Sequence, residues 1–155
     1  LKKGRVKAVD SRFALTEFTG ATTATPKEEE FERAIEKPVK QDRRSFEKEA
    51  ESLRERLGLQ ALLITRGSKG MALFQKNRPA VHLDIAGKDE VVDVTGAGDT
   101  VIAAYVLSLA KGASYEEAAN IANVAGGIVV QKPGTATVTV EELSVNLELW
   151  GKGRI

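Results

Sequence analysis

A carboxylate follows a glycine-rich stretch at Gly96-Ala97-Gly98-Asp99, and an apolar helix is predicted directly after it. The backbone N–H groups of such a turn form a site for anions such as phosphate, because they lack helical partners and the helix dipole adds positive potential. A carboxylate at Asp99 would repel the anion if the turn only held one. We therefore predict that Asp99 acts as a base beside a charged group that is being transferred.

Two other kinds of glycine-rich phosphate site fit the sequence poorly. A dinucleotide-binding fingerprint requires a third glycine where this chain has Val101, which disfavours a nicotinamide-dependent oxidoreductase. A Walker loop requires Gly-Lys followed by Ser or Thr, and the sequence contains no such tripeptide. Taken alone, the four residues could also be an ordinary tight turn.

The composition excludes several classes of function. The 155 residues are 42% hydrophobic and 29% charged, and 23 basic against 22 acidic residues leave a net charge of +1, which gives no support for binding nucleic acid or anionic membranes. The single histidine, His82, rules out a multi-histidine metal site, and we interpret it as a structural or surface residue. Without cysteine, a signal peptide or a long apolar run, the chain is expected to be cytoplasmic. Because it begins with Leu1 rather than Met, we expect a fragment.

Strands and helices alternate along the sequence, which predicts an α/β fold with a largely parallel sheet. Strands are predicted at 7–10, 21–24, 61–65, 71–74, 80–83, 91–92 and 137–140. Helices are predicted at about 25–35, 42–57, 100–111, 114–130 and 141–150.

Several details of these elements can be tested. Thr25 should cap the first helix, with Pro26 as its first residue. The helices at 100–111 and 114–130 are apolar almost all round and should be buried. Ligands bind at the carboxyl ends of parallel strands, so Asp10, the segment 65–67 and the segment 96–99 are expected to share one edge.

Longer motifs connect the chain to a known family. The segment from Asp93 to Val106 resembles the C-terminal signature of the ribokinase-like carbohydrate kinases, also called the pfkB family. The segment 65–70 resembles the turn that contacts ATP in that family, and 123–138 resembles its closing helix and loop. The resemblance spans roughly residues 6–143.

Within that family the chain is most similar to the heptose-phosphate kinases. The motifs that carry this similarity are Val9-Asp10-Ser11-Arg12, Ala24-Thr25-Pro26, Arg66 with Gly70-Met71, and Lys132-Pro133-Gly134-Thr135-Ala136-Thr137-Val138. The resemblance implies a ribokinase-like layered fold whose sheet is flanked by helices and whose N-terminal half is missing. Residues 1–150 would then be the C-terminal, ATP-binding and catalytic portion, and 151–155 a loose tail.

The resemblance also implies roles for individual residues. Asp99 would take the proton from a sugar hydroxyl, and the N–H groups of Gly96, Ala97 and Gly98 would hold the transferred phosphoryl group. Asn123 would lie near the adenine of ATP. The nucleotide would be lined by Thr65, Arg66, Gly67, Ser68, Lys69 and Gly70.

Metal ions are implied as well. Glu30 matches an acidic position that helps to place Mg²⁺ and phosphates, but Lys27 replaces the asparagine usual in the family. A lysine can meet a phosphate as a point charge, whereas its side chain has no hydrogen-bond acceptor for a metal-bound water. A monovalent cation such as K⁺ would be bound by Asp93, Thr95, Val129, Lys132, Gly134 and Val138. The alternative for this last set is a simple loop that ends a helix.

Two functions follow from these observations. The first is an ATP-dependent kinase, or the C-terminal portion of one, that phosphorylates a sugar or sugar phosphate, with a heptose phosphate preferred. The second is a non-catalytic nucleotide-binding half-domain that forms a homodimer or needs a separate N-terminal half.

Overall fold

We analysed a computed structural model of the chain, which describes residues 5–39, 42–87 and 91–153. The chain divides into two compact units. The first comprises Leu1–Gly67 and Met71–His82, and the second comprises Ser68–Gly70 and Leu83–Ile155. Within the described ranges, no helix is long and apolar enough to cross a membrane.

A five-stranded mixed sheet contains all of the strands in the described residues. The strands are β1 Ala8–Val9, β2 Thr23–Ala24, β3 Ala61–Thr65, β4 Met71–Gln75 and β5 Val81–Leu83. Their order in the sheet follows the chain. The β1–β2 and β2–β3 pairs are parallel, whereas β3 and β4 are antiparallel. The α/β class is therefore confirmed, and the sheet is mixed where a largely parallel one was predicted.

The core of the first unit lies between this sheet and two helices, α1 Glu28–Ala34 and α2 Arg43–Arg56. The ring of Phe46 on α2 makes edge contacts with Phe31 on α1, at 5.7 Å between centroids, and with Phe74 on β4, at 5.6 Å. The strands β3 and β4 are almost wholly buried, as the continuous apolar run at 61–64 predicted.

The predicted 42–57 helix is confirmed as α2. Asp42 caps it by accepting a 2.8 Å hydrogen bond from Ser45 N. Charged residues of α2 form ion pairs with one another. In one of these pairs, Arg43 Nε lies 2.8 Å from Glu47 Oε1. His82 Nε2 lies 2.8 Å from the same Glu47 carboxylate, which agrees with a structural histidine.

The first helix begins later than predicted. Pro26 O accepts a 3.0 Å hydrogen bond from Thr65 N, and Lys27 forms a parallel bridge with Thr65, so this backbone follows β3 instead of entering the helix. Thr25 is therefore not the cap, and α1 begins at Glu28. Glu30 Oε2 instead accepts Lys27 N at 2.9 Å, which satisfies one of the helix's free N–H groups.

The second unit contains three α-helices in its described residues: α3 Ala97–Ala110, α4 Tyr115–Val129 and α5 Val140–Gly151. Ser114 forms the predicted capping box at the start of α4, and the predicted 141–150 helix is confirmed as α5. The helices α3 and α4 pack closely, because a Cβ added at Gly126 would lie 2.9 Å from Val101 Cγ2.

Burial differs between these two helices. Most of α4 from Ala118 onward is buried, as predicted. On α3 only Val101, Tyr105 and Leu109 are buried, and Leu107 is 65% exposed. The prediction that α3 is buried all round is therefore wrong in this chain.

Two predicted strands are absent from the structure. Val91 and Val92 are exposed coil, because Val92 N donates to Val130 O at 2.8 Å and the segment is held by the end of α4 instead of by a neighbouring strand. The segment 137–139 is also irregular, and Val140 already belongs to α5. The sequences Val91-Val92 and Thr137-Val138-Thr139-Val140 are rich in β-branched residues, but contacts with other segments and the cap of α5 keep them out of the sheet.

A small core in the second unit depends on one glycine. Ala86, Val124 and Ile128 form this core, and the only tryptophan of the chain, Trp150, packs against it. A Cβ added at Gly127 would lie 2.1 Å from Ala86 O. The close approach of α4 to this backbone therefore requires a glycine.

We predict that Gly127→Ala destabilises the second unit by about 3 kcal/mol, because the added methyl group forces α4 away from Ala86. Urea unfolding followed by Trp150 fluorescence measures the change. Gly151→Ala is the matched control, since a Cβ there meets nothing within 4 Å, and it should leave the midpoint almost unchanged. Equal midpoints for both variants would contradict this packing.

Candidate active site

The glycine-rich stretch is the start of a helix. Gly96 has a φ of 78°, in the left-handed region that favours glycine, and it is the N-cap of α3. Thr100 N donates to Gly96 O at 3.0 Å, so the helix begins at Ala97 and not at the predicted Thr100. Ala97, Gly98 and Asp99 consequently form the first helical turn.

The N–H groups of this turn are the predicted phosphoryl contacts. By position, the N–H groups of a first helical turn have no acceptor within the helix. Ala97 N donates to Val94 O at 3.2 Å, so one of the three predicted donors already has a backbone acceptor. The Asp99 residue is exposed in this first turn, where the helix dipole favours a negative charge.

The Asp93 side chain links the segment just before this turn to the loop at 132–138. Its Oδ1 accepts Thr95 N at 2.8 Å, and its Oδ2 accepts Gly134 N at 3.1 Å. Hydrogen bonds from the Thr95 hydroxyl, from Thr95 N–H and from Gly134 N–H lower the pKa of Asp93. Asp93 therefore holds two backbone segments together as a carboxylate.

Further contacts bring the same two segments together. Val130 O accepts hydrogen bonds from both Val92 N and Asp93 N, at 2.8 and 3.1 Å. A Cβ added at Gly96 would lie 3.5 Å from Thr135 Cγ2. The structure thus brings Asp93, Gly96 and the loop at 132–138 into contact.

The loop at 132–138 holds a positive charge of its own. Lys132 Nζ lies 2.8 Å from Thr137 O and 2.7 Å from Glu142 Oε1. A hydrogen bond from the Lys132 ammonium lowers the pKa of the Glu142 carboxyl most, and a hydrogen bond from Thr139 N–H lowers it further. Val129 O accepts Lys132 N at 3.0 Å, and Val138 packs on the small core. The acceptors of the ammonium, Thr137 O and Glu142 Oε1, lie outside the set of residues predicted to bind a monovalent cation, so that site stays a prediction.

The turn between β3 and β4 was predicted to contact the nucleotide. Gly67–Lys69 form one turn of 3-10 helix, and Gly70 follows with a φ of 76°. A Cβ at Gly70 would lie 2.0 Å from Leu83 O, so the position accepts only glycine. Thr65 is the last residue of β3, and Ser68 and Lys69 are exposed.

The Arg66 side chain is engaged inside the first unit. Its Nε lies 2.6 Å from Glu28 Oε2, and its Cζ lies 4.2 Å from the centre of the Phe46 ring. These contacts hold the guanidinium group against α1 and α2. What remains available to a ligand at Arg66 is chiefly its backbone.

The Asn123 side chain also has a hydrogen-bond partner within the protein. It is only 3% exposed on α4, and its Nδ2 donates to Asp84 O at 2.7 Å. Its amide therefore fixes the backbone that follows β5. A direct hydrogen bond to adenine would have to use its remaining polar atoms.

Glu30 is the residue that the family resemblance implies for placing Mg²⁺. Glu30 is 8% exposed, and one carboxylate oxygen accepts the Lys27 N–H group. In the part of the chain that the structure describes, no cluster of three or more acidic or histidine residues could hold a metal.

Sequence reasoning missed one contact residue in the first unit, Glu28, and two in the second, Thr135 and Glu142. Glu142 could have been found, because Thr139 and Glu142 have the spacing of a capping box, which the structure forms. Glu28 and Thr135 make contacts between segments distant in sequence, for which the sequence carries no local signal.

The fold and the turn define a class of protein. An α/β fold that presents the N-terminus of a helix beside a glycine and an exposed carboxylate is suited to phosphoryl transfer. Residues 12–142 match the model of the pfkB family carbohydrate kinases. The chain belongs to this family.

Curated relatives agree with that assignment. Over 126 residues the chain is 50% identical to bifunctional protein HldE of Pasteurella multocida, which covers 81% of this chain and 26% of the relative. Over 143 residues it is 46% identical to the protein of the same name in Coxiella burnetii, covering 92% and 30%. The chain thus spans less than a third of the length of these relatives.

Solved structures confirm the ribokinase-like fold. The ribokinase of Arabidopsis thaliana, solved with ribose and ATP, superposes with a TM-score of 0.77 at 26% identity, over 94% of this chain and 45% of the ribokinase. Phosphofructokinase-2 of Escherichia coli, solved with potassium, gives a TM-score of 0.76 at 17% identity, over 87% of this chain and 43% of that enzyme.

We predict that Glu28 and Arg66 are energetically coupled. Their side chains are only 20% and 17% exposed, so Glu28→Gln and Arg66→Met should each destabilise the first unit, and the double variant should lose about 1 kcal/mol less than the sum. Urea unfolding followed by circular dichroism gives the coupling energy. The exposed pair Lys152–Glu148, at 3.7 Å, is the control and should show almost none. Strict additivity at Glu28 and Arg66 would contradict the contact.

Proposed function

We propose that this chain is the ATP-binding and catalytic portion of a sugar kinase that phosphorylates a heptose phosphate. The observation that carries the proposal is the left-handed Gly96 at the start of α3, which places the exposed Asp99 in the same helical turn as the N–H groups. This combination provides both a base and a site for developing negative charge.

In the proposed mechanism, Asp99 accepts the proton of the attacking sugar hydroxyl. The hydroxyl oxygen forms a bond to the γ-phosphorus of ATP while the bond to the ADP oxygen breaks. N–H groups of Gly96, Ala97 and Gly98 stabilise the charge on the transferred group, and Ala97 would have to release Val94 O to take part fully. Phosphoryl transfer needs mainly this positioning and charge stabilisation.

The nucleotide is proposed to bind along the turn from Thr65 to Gly70. Because the Arg66 guanidinium contacts Glu28 and Phe46, we assign the nucleotide contact to the backbone of this turn. Asn123 would shape the adenine side from its buried position on α4. The similar ribokinase was solved with ribose and ATP, which supports the proposal that this chain binds a nucleotide.

Magnesium would assist by neutralising charge on the phosphates when it is bound with ATP. Glu30 would face its hydration shell, and Lys27 would meet a phosphate as a point charge. For the sugar, a heptose phosphate is supported by the motifs at 9–12 and 132–138 and by the relatives named bifunctional protein HldE.

A second candidate is a nucleotide-binding half-domain that needs a separate N-terminal half. One surface favours it: Ala103, Leu107 and Ala110 recur at helical spacing on α3, and all three are exposed. An exposed apolar stripe of this kind is typical of an interface.

Calorimetric titration with Mg-ATP, followed by a phosphorylation assay with heptose 7-phosphate and fructose 6-phosphate, separates the two candidates. Binding with turnover of the heptose phosphate supports the kinase. Saturable binding without turnover supports the half-domain. If Mg-ATP does not bind at all, both candidates fail.

For the base, we predict that Asp99→Asn lowers turnover by about 10²–10⁴-fold while ATP affinity changes only a few fold, since the amide cannot accept the proton but keeps the shape of the turn. Initial rates and calorimetry measure the two quantities. Asp84→Asn, which replaces another exposed carboxylate, is the control and should keep full turnover. Undiminished turnover in Asp99→Asn would eliminate Asp99 as the base.

A further inference from the structure

Two segments with predicted ligand contacts run side by side in the first unit. One is 26–28, which contains Lys27, the predicted phosphate contact, and the other is 65–67, the start of the turn predicted to contact the nucleotide. Thr65 N donates to Pro26 O at 3.0 Å, and Lys27 forms a parallel bridge with Thr65. Backbone contacts therefore set the register of the two segments as far as Thr65.

Side chains continue this pairing for one residue beyond the end of β3. Arg66 Nε lies 2.6 Å from Glu28 Oε2, and Arg66 Cζ lies 4.2 Å from the centre of the Phe46 ring. Phe46 is a fixed platform, because it is buried and makes edge contacts with Phe31 and Phe74. The guanidinium group is thus held both by a carboxylate and by a buried ring.

Burial distinguishes this pair from an ordinary surface ion pair. The side chains of Arg66 and Glu28 are only 17% and 20% exposed. A charge-assisted hydrogen bond that is shielded from water is stronger than an exposed one, and the stacking of the guanidinium group on Phe46 adds to it. Without the Glu28 charge, a largely shielded guanidinium group would lose its carboxylate and would move toward water. The backbone at 66–67 would lose its anchor.

We propose that Glu28 is a positioning residue for the nucleotide: by binding Arg66 it fixes residues 65–67 beside Lys27, and it acts without touching the nucleotide. The inference rests on the proposed function, in which the backbone of this turn binds ATP. By its charge alone, a carboxylate one residue from the predicted phosphate contact would weaken the binding of an anion. Positioning and charge therefore predict opposite effects for a variant that neutralises Glu28.

Calorimetric titration of the full chain with Mg-ATP measures the direction of this effect. Glu28→Gln keeps the size of the side chain but removes its charge, and it should weaken Mg-ATP binding about tenfold. Arg66→Met should weaken binding by a similar factor, and the double variant should be no weaker than either single variant, because both changes break one contact. Unchanged or tighter binding in Glu28→Gln would overturn the proposal.

Glu29→Gln is the matched control for charge. It removes an exposed carboxylate from the same turn of α1, and it should leave the Mg-ATP affinity almost unchanged. A loss in Glu29→Gln equal to that in Glu28→Gln would assign the effect to the charge of α1 and would also overturn the proposal.

Amide hydrogen exchange of the nucleotide-free chain tests the cause separately. In Glu28→Gln the Thr65 N–H group should exchange about tenfold faster, because its bond to Pro26 O loses the support of the ion pair. The amide of Ala50, in the middle of α2, should keep its rate. An unchanged rate at Thr65, or an equal acceleration at Ala50, would overturn the proposal. If the unaltered chain does not bind Mg-ATP, the proposed function fails, and the exchange rates still decide whether Glu28 fixes this backbone.

Discussion

The left-handed backbone at Gly96 is the constraint on which the candidate site depends. A residue with a Cβ is strained at a φ of 78°, and its side chain would also approach Thr135. This conformation lets the chain turn from Asp93 directly into α3, so that the helix N-terminus and Asp99 are presented together. Asp93 fixes the turn from both sides, through Thr95 and Gly134. The candidate site is thus formed mainly by backbone geometry and by one carboxylate that holds this backbone in place.

Other polar side chains of the chain also make contacts within the protein. Arg66, Asn123 and Lys132 have side chains that a ligand would be expected to attract, yet each already has a partner within the protein. These partners are the Glu28 carboxylate for Arg66, Asp84 O for Asn123 and Thr137 O for Lys132. What these contacts leave available is main chain: the turn after β3 and the first turn of α3. Phosphate groups are well recognised by backbone N–H groups, and a rigid backbone presents them without the entropy cost of ordering long side chains. The polar side chains therefore support the site more than they line it.

Local signals in the sequence predicted much of this structure. The four- and three-residue spacing of Phe46, Ala50 and Leu53 predicted α2, and the cap at Ser114 fixed the start of α4. Contacts between distant segments overrode the local signals elsewhere: Thr65 draws Pro26 and Lys27 along β3, and Val130 O holds Val92 as coil. The exposure of Leu107 could not be predicted from apolar composition, because burial depends on what packs against α3. The fold class and the residues of the turn were predictable, whereas the partners of those residues were not.

The central claim is that the first turn of α3 is the phosphoryl site of a pfkB family kinase. Amide chemical shifts of the chain during titration with Mg-ATP test it most directly, because they locate the nucleotide without requiring turnover. We expect saturable shifts at the amides of Gly96, Gly98 and Asp99, together with Ser68 and Gly70, and no comparable change along α5. Saturable binding that leaves the amides of Gly98 and Asp99 unchanged would contradict the claim.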